Sequence, residues 1–241
     1  MKHWIEPDWP VAGNIHAAST LRSGGVSQGR FSSLNLADHV NDNISDVQEN
    51  RQIIAELLAL PADPLWLQQV HSNRVVNINR QTEVEAADAS FTERAGVVCA
   101  VLTADCLPIL LASKDASIIC AIHAGWRGLL SGIISNTVNV LNNNELIAWL
   151  GPAIGENCFE VRKEVKDQFI AKSTNYNKAF QQKNQQHYLA DIYQIARIEL
   201  AGLGINQVYG GGFCTVTDKQ QFFSYRRDGE TGRMATLIWR D

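Results

Sequence analysis

The chain has 241 residues, 45% of them hydrophobic and 19% charged, a composition typical of one folded domain with a sizeable apolar core. Its formal net charge of −4 argues against a nucleic-acid binder, because such proteins neutralise phosphates with an excess of lysine and arginine. No apolar window approaches the ~18 residues of a membrane span, and the polar first residues have no signal-peptide segment, so we expect a cytoplasmic protein.

The first half of the chain is predicted to contain mostly strands. A strand at residues 15–20 precedes a helix at 45–60, where Ser45 and Gln48 fit a capping box and Pro61 supplies a stop. Short runs rich in apolar residues then predict strands at 65–70, 75–79, 97–103 and 118–122.

The second half is predicted to begin with a helix at 125–141, a strand at 146–150 and a helix starting near Arg162. We interpret the polar stretch 171–186 as a surface excursion. A helix at 189–203, ended by Gly204, precedes strands at 207–209 and 234–239. Together these elements predict a single α/β (α+β) domain over residues 1–241, with a mixed β-sheet and flanking helices.

The five cysteines form an odd set without C-x-x-C spacing. Because no secretory signal accompanies them, the pattern indicates free thiols in a reducing compartment and not a disulfide framework. Only Cys106 has neighbours along the chain that suggest chemistry.

Three residues at the ends of apolar runs form a chemically coherent set: His71, Cys106 and His123. Apolar runs of this kind are typical of central strands, so Cys106 and His123 are expected at the mouth of one sheet. One thiolate and two imidazoles match a catalytic zinc site, which keeps three protein ligands and leaves a fourth position open. Such a site lowers the pKa of a zinc-held water to about 7.

The same set fits other interpretations. Cys106 could be a nucleophile with His123 as its general base, and spacing along the chain does not separate this hypothesis from a metal site. Two histidines and a thiolate also resemble a blue-copper set, for which Met234 is the axial candidate besides Met1. Six histidines are too few for multicopper chemistry. Each residue could also be an ordinary packed or solvated side chain.

Asp105 reaches the same side of the chain as Cys106 only if the backbone bends, because neighbours in a regular strand face opposite sides. It would then orient a ligand histidine, act as a general acid, or merely cap a local amide.

Two arginines suggest anion binding. Arg127 follows His123 at the predicted start of a helix, where an anion is favoured, so it would strengthen a phosphate site there. Arg22 lies beside paired glycines in Thr20–Ser27 and could clamp a phosphate, although a plain hairpin turn explains the segment as well. Near the C-terminus, Phe222–Arg233 combines aromatic residues with arginines and could stack a flat ring or form an aromatic-anchored turn.

A series of motifs runs in one order along nearly the whole chain: Arg22–Ser27, Ser33–Leu36, Glu49–Arg51, Gln69–His71, Thr103–Pro108, His123–Gly128, Gly151–Gly155 and Phe223–Gly229. Their combination resembles the YfiH family, also called the laccase-domain or polyphenol oxidoreductase family. The resemblance implies a fold similar to the catalytic domain of cytotoxic necrotizing factor, a cysteine hydrolase.

The resemblance also implies a zinc site on His71, Cys106 and His123, with copper a less favoured metal. It implies phosphorolysis of adenosine, inosine and methylthioadenosine to base and ribose 1-phosphate, with adenosine deamination as a side activity. On this basis the catalytic candidates are Asp105, Cys106 and Arg127, and the substrate- or phosphate-binding candidates are Arg22, Asn35 and Arg127.

Three alternative functions stay open at this stage. They are a cysteine- or zinc-dependent amidase that edits peptidoglycan precursors, a copper polyphenol oxidase, and a structural-zinc binding protein. The expected partners are a small nucleoside and phosphate, with no nucleic acid and no membrane, and the sequence leaves the oligomeric state open.

Overall fold

The computed structural model describes residues 2–79, 86–142 and 145–241. In that part of the chain the strands are β1 (Trp4–Ile5), β2 (Ile15–Thr20), β3 (Val75–Asn77), β4 (Ala89–Thr92), β5 (Cys99–Thr103), β6 (Leu107–Ser113), β7 (Ile119–Ala124), β8 (Leu146–Leu150), β9 (Glu160–Arg162), β10 (Phe180–Gln182), β11 (His187–Ala190), β12 (Val208–Gly210) and β13 (Met234–Arg240). The helices are α1 (Ile44–Leu57), α2 (Trp126–Ser131), α3 (Ile133–Leu141), α4 (Lys163–Lys172), α5 (Ile192–Gly202) and α6 (Tyr225–Asp228), with 3₁₀ turns at Gly29–Phe31 and Thr174–Ala179.

A mixed sheet in the order β12-β8-β6-β7-β4-β3 forms the centre of the molecule. Strands β6, β7 and β8 are buried along their whole length, as their continuous apolar sequences require. Because β6 and β7 are antiparallel, the start of β6 lies beside the end of β7, with Pro108 paired to His123. This edge of the sheet carries the candidate site.

A second sheet, in the order β1-β2-β13-β5, packs on the central one. Val101, Leu110, Ile119 and Ile238 belong to the apolar core that the two sheets share. Strand β5 ends in the second sheet and β6 begins in the central one, so residues 104–106 cross between the sheets. Asp105, in the middle of this crossing, has a φ of +89°.

Helices α2, α3 and α5 contribute to the core on the other side of the central sheet, which includes Leu129, Ile133, Ile195 and Leu200. A small sheet in the order β10-β11-β9 joins the same core through Tyr188. The predicted fold class, a mixed α/β domain, is confirmed.

The first predicted helix is confirmed in position, but it ends earlier than expected, at Leu57, and its cap differs. Helix α1 is capped by Asn43, whose Oδ1 accepts a hydrogen bond from the Ser45 amide at 3.0 Å. The predicted capping box of Ser45 and Gln48 was therefore wrong. Asn43, two residues before Ser45, is an equally good cap, and its side chain accepts the hydrogen bond from the Ser45 amide.

The predicted helix at 125–141 is two helices. Gly132, with a φ of +84°, ends α2 and begins α3. A glycine inside a helical pattern allows this break, since a left-handed residue cannot continue the helix. The predicted helix at 189–203 begins later than expected, because residues 187–190 pair as β11 and Asp191 then caps α5. Gly204 follows its end in the left-handed region, as predicted.

The strands predicted at 15–20 and 146–150 are confirmed at both ends. Those at 75–79, 97–103, 118–122, 207–209 and 234–239 are confirmed with small shifts. The strand at 65–70 was wrong: Gln68 forms an isolated bridge with Ala86, and the Val70 amide bonds to the Asp88 carboxylate and not to a neighbouring strand. Several strands were missed: β1, β4, β6, β9, β10 and β11.

The stretch 171–186 is more ordered than the predicted excursion. It contains the second 3₁₀ turn and β10, and the rings of Tyr176 and Phe180 pack on Phe169. Among the helices of the described residues, none has the length and apolar character needed to span a bilayer.

Candidate metal centre

The side chains of His71, Cys106 and His123 converge at the edge where β6 begins and β7 ends. Their ligand atoms all lie within 4.8 Å of one another. Nε2 of His71 is 3.7 Å from Sγ of Cys106, and the two imidazole rings meet edge-on with their centroids 4.8 Å apart. Within residues 2–79, 86–142 and 145–241, no other group of three or more His, Cys, Asp or Glu side chains has metal-binding spacing.

Each of the three residues is positioned by a different element. His123 is buried in β7, and Cys106 is the last residue of the crossing between the sheets, directly before β6. His71 lies in a loop with a φ of +59°, a conformation that few side-chain-bearing residues adopt. Something must therefore hold that loop in place.

Asp88 holds it, and this residue was missed by the sequence analysis. Its Oδ1 accepts hydrogen bonds from Nδ1 of His123 at 2.8 Å and from the His71 amide at 2.9 Å. Its Oδ2 accepts the amide and hydroxyl of Ser72 at 2.6 and 2.7 Å. One fully buried carboxylate thus fixes the ring of one candidate ligand and the backbone of another, an arrangement typical of metal-binding histidines.

In the metal-free protein, the charges around the triad favour a thiolate at Cys106 beside a protonated His123, and a metal ion would have to displace that proton. Burial opposes ionisation of the Cys106 thiol, but the adjacent His123 and His71 outweigh it and lower its pKa to about 6. Burial also opposes protonation of His123, but Cys106 and Asp88 raise its pKa to about 9. Since Asp88 accepts from Nδ1, Nε2 of His123 is the nitrogen left to face Cys106.

The donor set fits a metal ion. One thiolate and two imidazoles are the ligands that zinc takes in open sites, and the backbone is shaped to leave room for them. A Cβ at Gly125 would lie 2.8 Å from Cδ2 of His71 and 2.9 Å from Sγ of Cys106. Only a glycine at this position lets both side chains keep their places.

Gly125→Ala is therefore expected to push His71 and Cys106 apart and to weaken zinc binding about 10–100-fold, the usual effect of disturbing the support of a ligand. Competition with a chromophoric chelator measures this. Gly202→Ala is the matched control, because a Cβ there meets nothing within 4 Å. Wild-type zinc affinity in the Gly125 variant would contradict the assignment.

A cavity of about 560 Å³ opens onto the triad. Its wall is partly apolar, and it also carries three arginines: Arg127, Arg226 and Arg233. The sequence singled out Arg127, and the structure places it in the wall of the cavity, with its guanidinium 4.3 Å from the ring centroid of Trp126.

Arg233 and Arg226 come from the C-terminal segment in which the sequence suggested either ring stacking or a turn. Nη1 of Arg233 donates to the carbonyls of Thr231 and Gly232 at 2.6 and 3.0 Å, which holds the side chain against the cavity. Burial lowers the pKa of Arg233, against the opposing attraction of Cys106 and Asp105. Nη1 of Arg226 donates to the Glu160 carbonyl at 3.1 Å. The segment thus forms a turn around α6, and two of its arginines line the cavity.

Two other candidates lie outside the cavity wall. The guanidinium of Arg22 donates to the Ser32 carbonyl twice, at 3.2 and 3.1 Å, and to the Lys219 carbonyl at 3.0 Å. Asn35 is fully buried and bonds to Ala37, to Asp42 and to the Arg233 amide. These bonds tie backbone segments together, so the geometry does not support the substrate- or phosphate-binding role expected of either residue.

Asp105 lines the cavity, and its carboxylate has other partners. Oδ1 accepts from the Thr215 hydroxyl at 2.6 Å, and Oδ2 accepts from the Arg226 amide at 2.6 Å. The expectation that Asp105 orients a ligand histidine was wrong for His123, because Asp88 does this. Of the three roles considered, capping of an amide is the one its contacts display.

Known proteins resemble this chain over its full length. The family model described as multi-copper polyphenol oxidoreductase laccase matches residues 16–241. The chain is 46% identical, over 99% of both chains, to a Pseudomonas aeruginosa protein named purine nucleoside phosphorylase and to an Escherichia coli protein named purine nucleoside phosphorylase YfiH. The crystal structure of the Neisseria meningitidis protein NMB0706 has 44% identity and a TM-score of 0.96, covering all of both chains.

Proposed function

Because this chain belongs to the multi-copper polyphenol oxidoreductase laccase family, which its YfiH relatives share, we propose that it is a zinc-dependent purine nucleoside phosphorylase. The observation that carries the proposal is one cavity that joins the His–Cys–His triad to three arginines, in a chain whose net charge is −4. The printed names of the relatives support the same activity.

The cavity wall suits the two substrates. Phe159, Tyr225 and Trp126 offer aromatic surface on which a flat purine ring can stack. Arg127 and Arg233 offer planar guanidinium groups, which match phosphate oxygens in pairs. We therefore assign the aromatic wall to the nucleoside and these arginines to phosphate.

Phosphorolysis exchanges the bond between ribose and base for a bond between ribose and phosphate. Positive charge develops on the ribose as the base departs, so an aligned phosphate both attacks and stabilises that charge. When held by His71, Cys106 and His123, zinc would supply a Lewis acid at the floor of the cavity. The arginines would fix the direction of attack, and the apolar wall would exclude water that could compete with phosphate.

We propose adenosine deamination as the side activity, with Asp105 as the residue that moves the proton. Its support is position, since Asp105 and the triad line the same cavity.

Incubation of metal-analysed protein with adenosine, with and without phosphate, tests both activities. Adenine and ribose 1-phosphate that form only with phosphate support the phosphorylase, and inosine in both arms supports the deaminase. If zinc-replete protein turns over neither adenosine, inosine nor methylthioadenosine, the nucleoside proposal fails.

Arg127→Ala is expected to raise the KM for phosphate about 10–100-fold, because a hydrogen bond between charged groups contributes about 1.5–3 kcal/mol. Steady-state kinetics with phosphate as the varied substrate measure this. Arg94→Ala is the control, since Arg94 bonds to Asn79 and does not line the cavity. An unchanged KM for phosphate in the Arg127 variant would remove Arg127 from the phosphate site.

The nucleophile hypothesis keeps one specific observation in its favour, a thiol of lowered pKa next to two histidines. Alkylation by iodoacetamide separates it from the metal site. Protection of Cys106 by zinc, together with an inactive metal-free protein, would support the metal site. If iodoacetamide rapidly alkylates Cys106 in a protein that was active and zinc-loaded, and the activity is lost with the thiol, the result would support the nucleophile.

A further inference from the structure

Two cysteines far apart in sequence meet in a part of the molecule that the proposed function does not use. Cys158 and Cys214 are both partly exposed free thiols, and both line a second cavity of about 350 Å³. The turn Gly155–Cys158 lies against Cys214, which brings the two thiols near each other. Neither belongs to the metal triad, and no sequence spacing marks them as a pair.

The surrounding backbone is built around the sulfur of Cys214. The Gly155 amide donates to Sγ of Cys214 at 3.3 Å, and the Cys158 amide donates to the Gly155 carbonyl at 3.0 Å. The turn that carries Cys158 therefore wraps onto Cys214. A Cβ at Gly155 would lie 2.9 Å from Cβ of Cys214, so a residue without a side chain is needed for this approach.

The two thiols differ in character. Burial opposes ionisation of Cys214, but hydrogen bonds from Thr217, Gly155 and Val216 outweigh it and lower its pKa. Burial raises the pKa of Cys158, and the neighbouring Cys214 raises it further. Cys214 is thus the more readily ionised of the two thiols, a difference that is also found in reactive cysteine pairs.

We propose that Cys158 and Cys214 form a second thiol site, at which a hydroperoxide oxidises the pair to a disulfide. The Cys214 thiolate attacks the peroxide, an S–O bond forms while the O–O bond breaks, and the departing oxygen takes a proton. Cys158 then attacks the sulfur of the resulting sulfenic acid, so that an S–S bond forms and the S–O bond breaks. The leaving hydroxide takes the Cys158 proton, and two thiols and one hydrogen peroxide become one disulfide and two waters.

The position of this pair connects it to the walls of the metal-site cavity. Cys158 precedes Phe159, which lines that cavity, and Cys214 precedes Thr215, which bonds to Asp105. Gly210, Gly211 and Gly212 all have positive φ, and this left-handed turn leads the chain from β12 to Cys214. A disulfide here ties two walls of the site together.

The test exposes zinc-loaded wild-type protein to hydrogen peroxide, blocks the remaining thiols and maps the peptides without reduction. A linked Cys158–Cys214 peptide that dithiothreitol removes is expected. Cys158→Ser should leave a dimedone-reactive sulfenic acid on Cys214. In Cys214→Ser, dimedone labelling of Cys158 should be slower than the labelling of Cys214 in Cys158→Ser, because burial still raises the pKa of Cys158.

Thr217→Val keeps both thiols and removes one hydroxyl from the surroundings of Cys214, so disulfide formation should slow while circular dichroism stays unchanged. Absence of the linked peptide, at peroxide concentrations that fully oxidise glutathione, would overturn the proposal. Equal dimedone labelling of the remaining cysteine in the two single variants would overturn the assignment of Cys214 as the nucleophile. These readouts do not depend on the phosphorylase activity.

Discussion

Replacing Asp88 by alanine is expected to lower the free energy of unfolding by about 3–5 kcal/mol and to remove most of the metal affinity. The reason is that the side chain accepts hydrogen bonds from His123, His71 and Ser72, all at a fully buried position. Without the carboxylate these donors lose their partner in a place that water does not reach. Urea unfolding and chelator competition measure the two effects.

Asp63→Ala is the control for this change, since Asp63 is exposed and surface substitutions shift stability by about 0.5 kcal/mol or less. Asp88→Asn should fall between wild type and alanine, because an amide keeps one acceptor oxygen. An alanine variant as stable as wild type would show that the hydrogen-bond network does not support the fold.

The acid behaviour of metal-free protein follows from the same network. Although burial opposes ionisation of Asp88, hydrogen bonds from His123 and Ser72 lower its pKa from 3.8 to about 2. A group with a depressed folded-state pKa stabilises the protein fully above its unfolded value, so this contribution is lost as pH falls from about 3.8 through about 2. The Asp88→Asn variant should lack this part of the pH dependence.

Cys106→Ser is expected to lower zinc affinity more than about 100-fold and to reduce phosphorolysis to below roughly 1% of wild type. A serine hydroxyl is a much weaker zinc ligand than a thiolate, and the other two ligands cannot complete the site. Metal analysis after dialysis and adenosine turnover with phosphate measure the two effects. Cys158→Ser, assayed under reducing conditions, is the control for loss of a thiol outside the triad.

The two readouts of this variant also separate the rival mechanisms. Loss of both metal and activity agrees with Cys106 as a ligand. A variant that keeps its zinc and loses activity would instead assign Cys106 as a nucleophile, and one that keeps both would remove Cys106 from the site.

The ligand triad was accessible from sequence because residue type and position agree. Cys106 and His123 adjoin strongly apolar runs, and such runs pair as neighbouring central strands, which brings their ends together. The same runs also predicted a mixed β-sheet. They did not predict the order of its strands, because pairings such as β13 with β5 join segments that no local pattern relates.

The residues that support the triad were not accessible in this way. Asp88 stands between alanines, and an isolated aspartate before a strand looks the same whether it is exposed or accepts several buried hydrogen bonds. Arg233 reaches the cavity only because β13, which begins at the next residue, pairs with β5. Arg22 and Asn35 belong to motifs that the sequence pointed out, but their side chains bond to backbone groups and do not line the cavity.

The place of β13 in its sheet has a consequence for when the candidate metal site is completed. This strand lies between β2 and β5, so the second sheet remains split until β13 has been synthesised. The crossing that presents Cys106 starts from that sheet, and the cavity wall that carries Arg233 is completed at the same moment. Metal capture at the triad would thus follow the synthesis of β13, and metal content would report on whether this strand has taken its place in the second sheet.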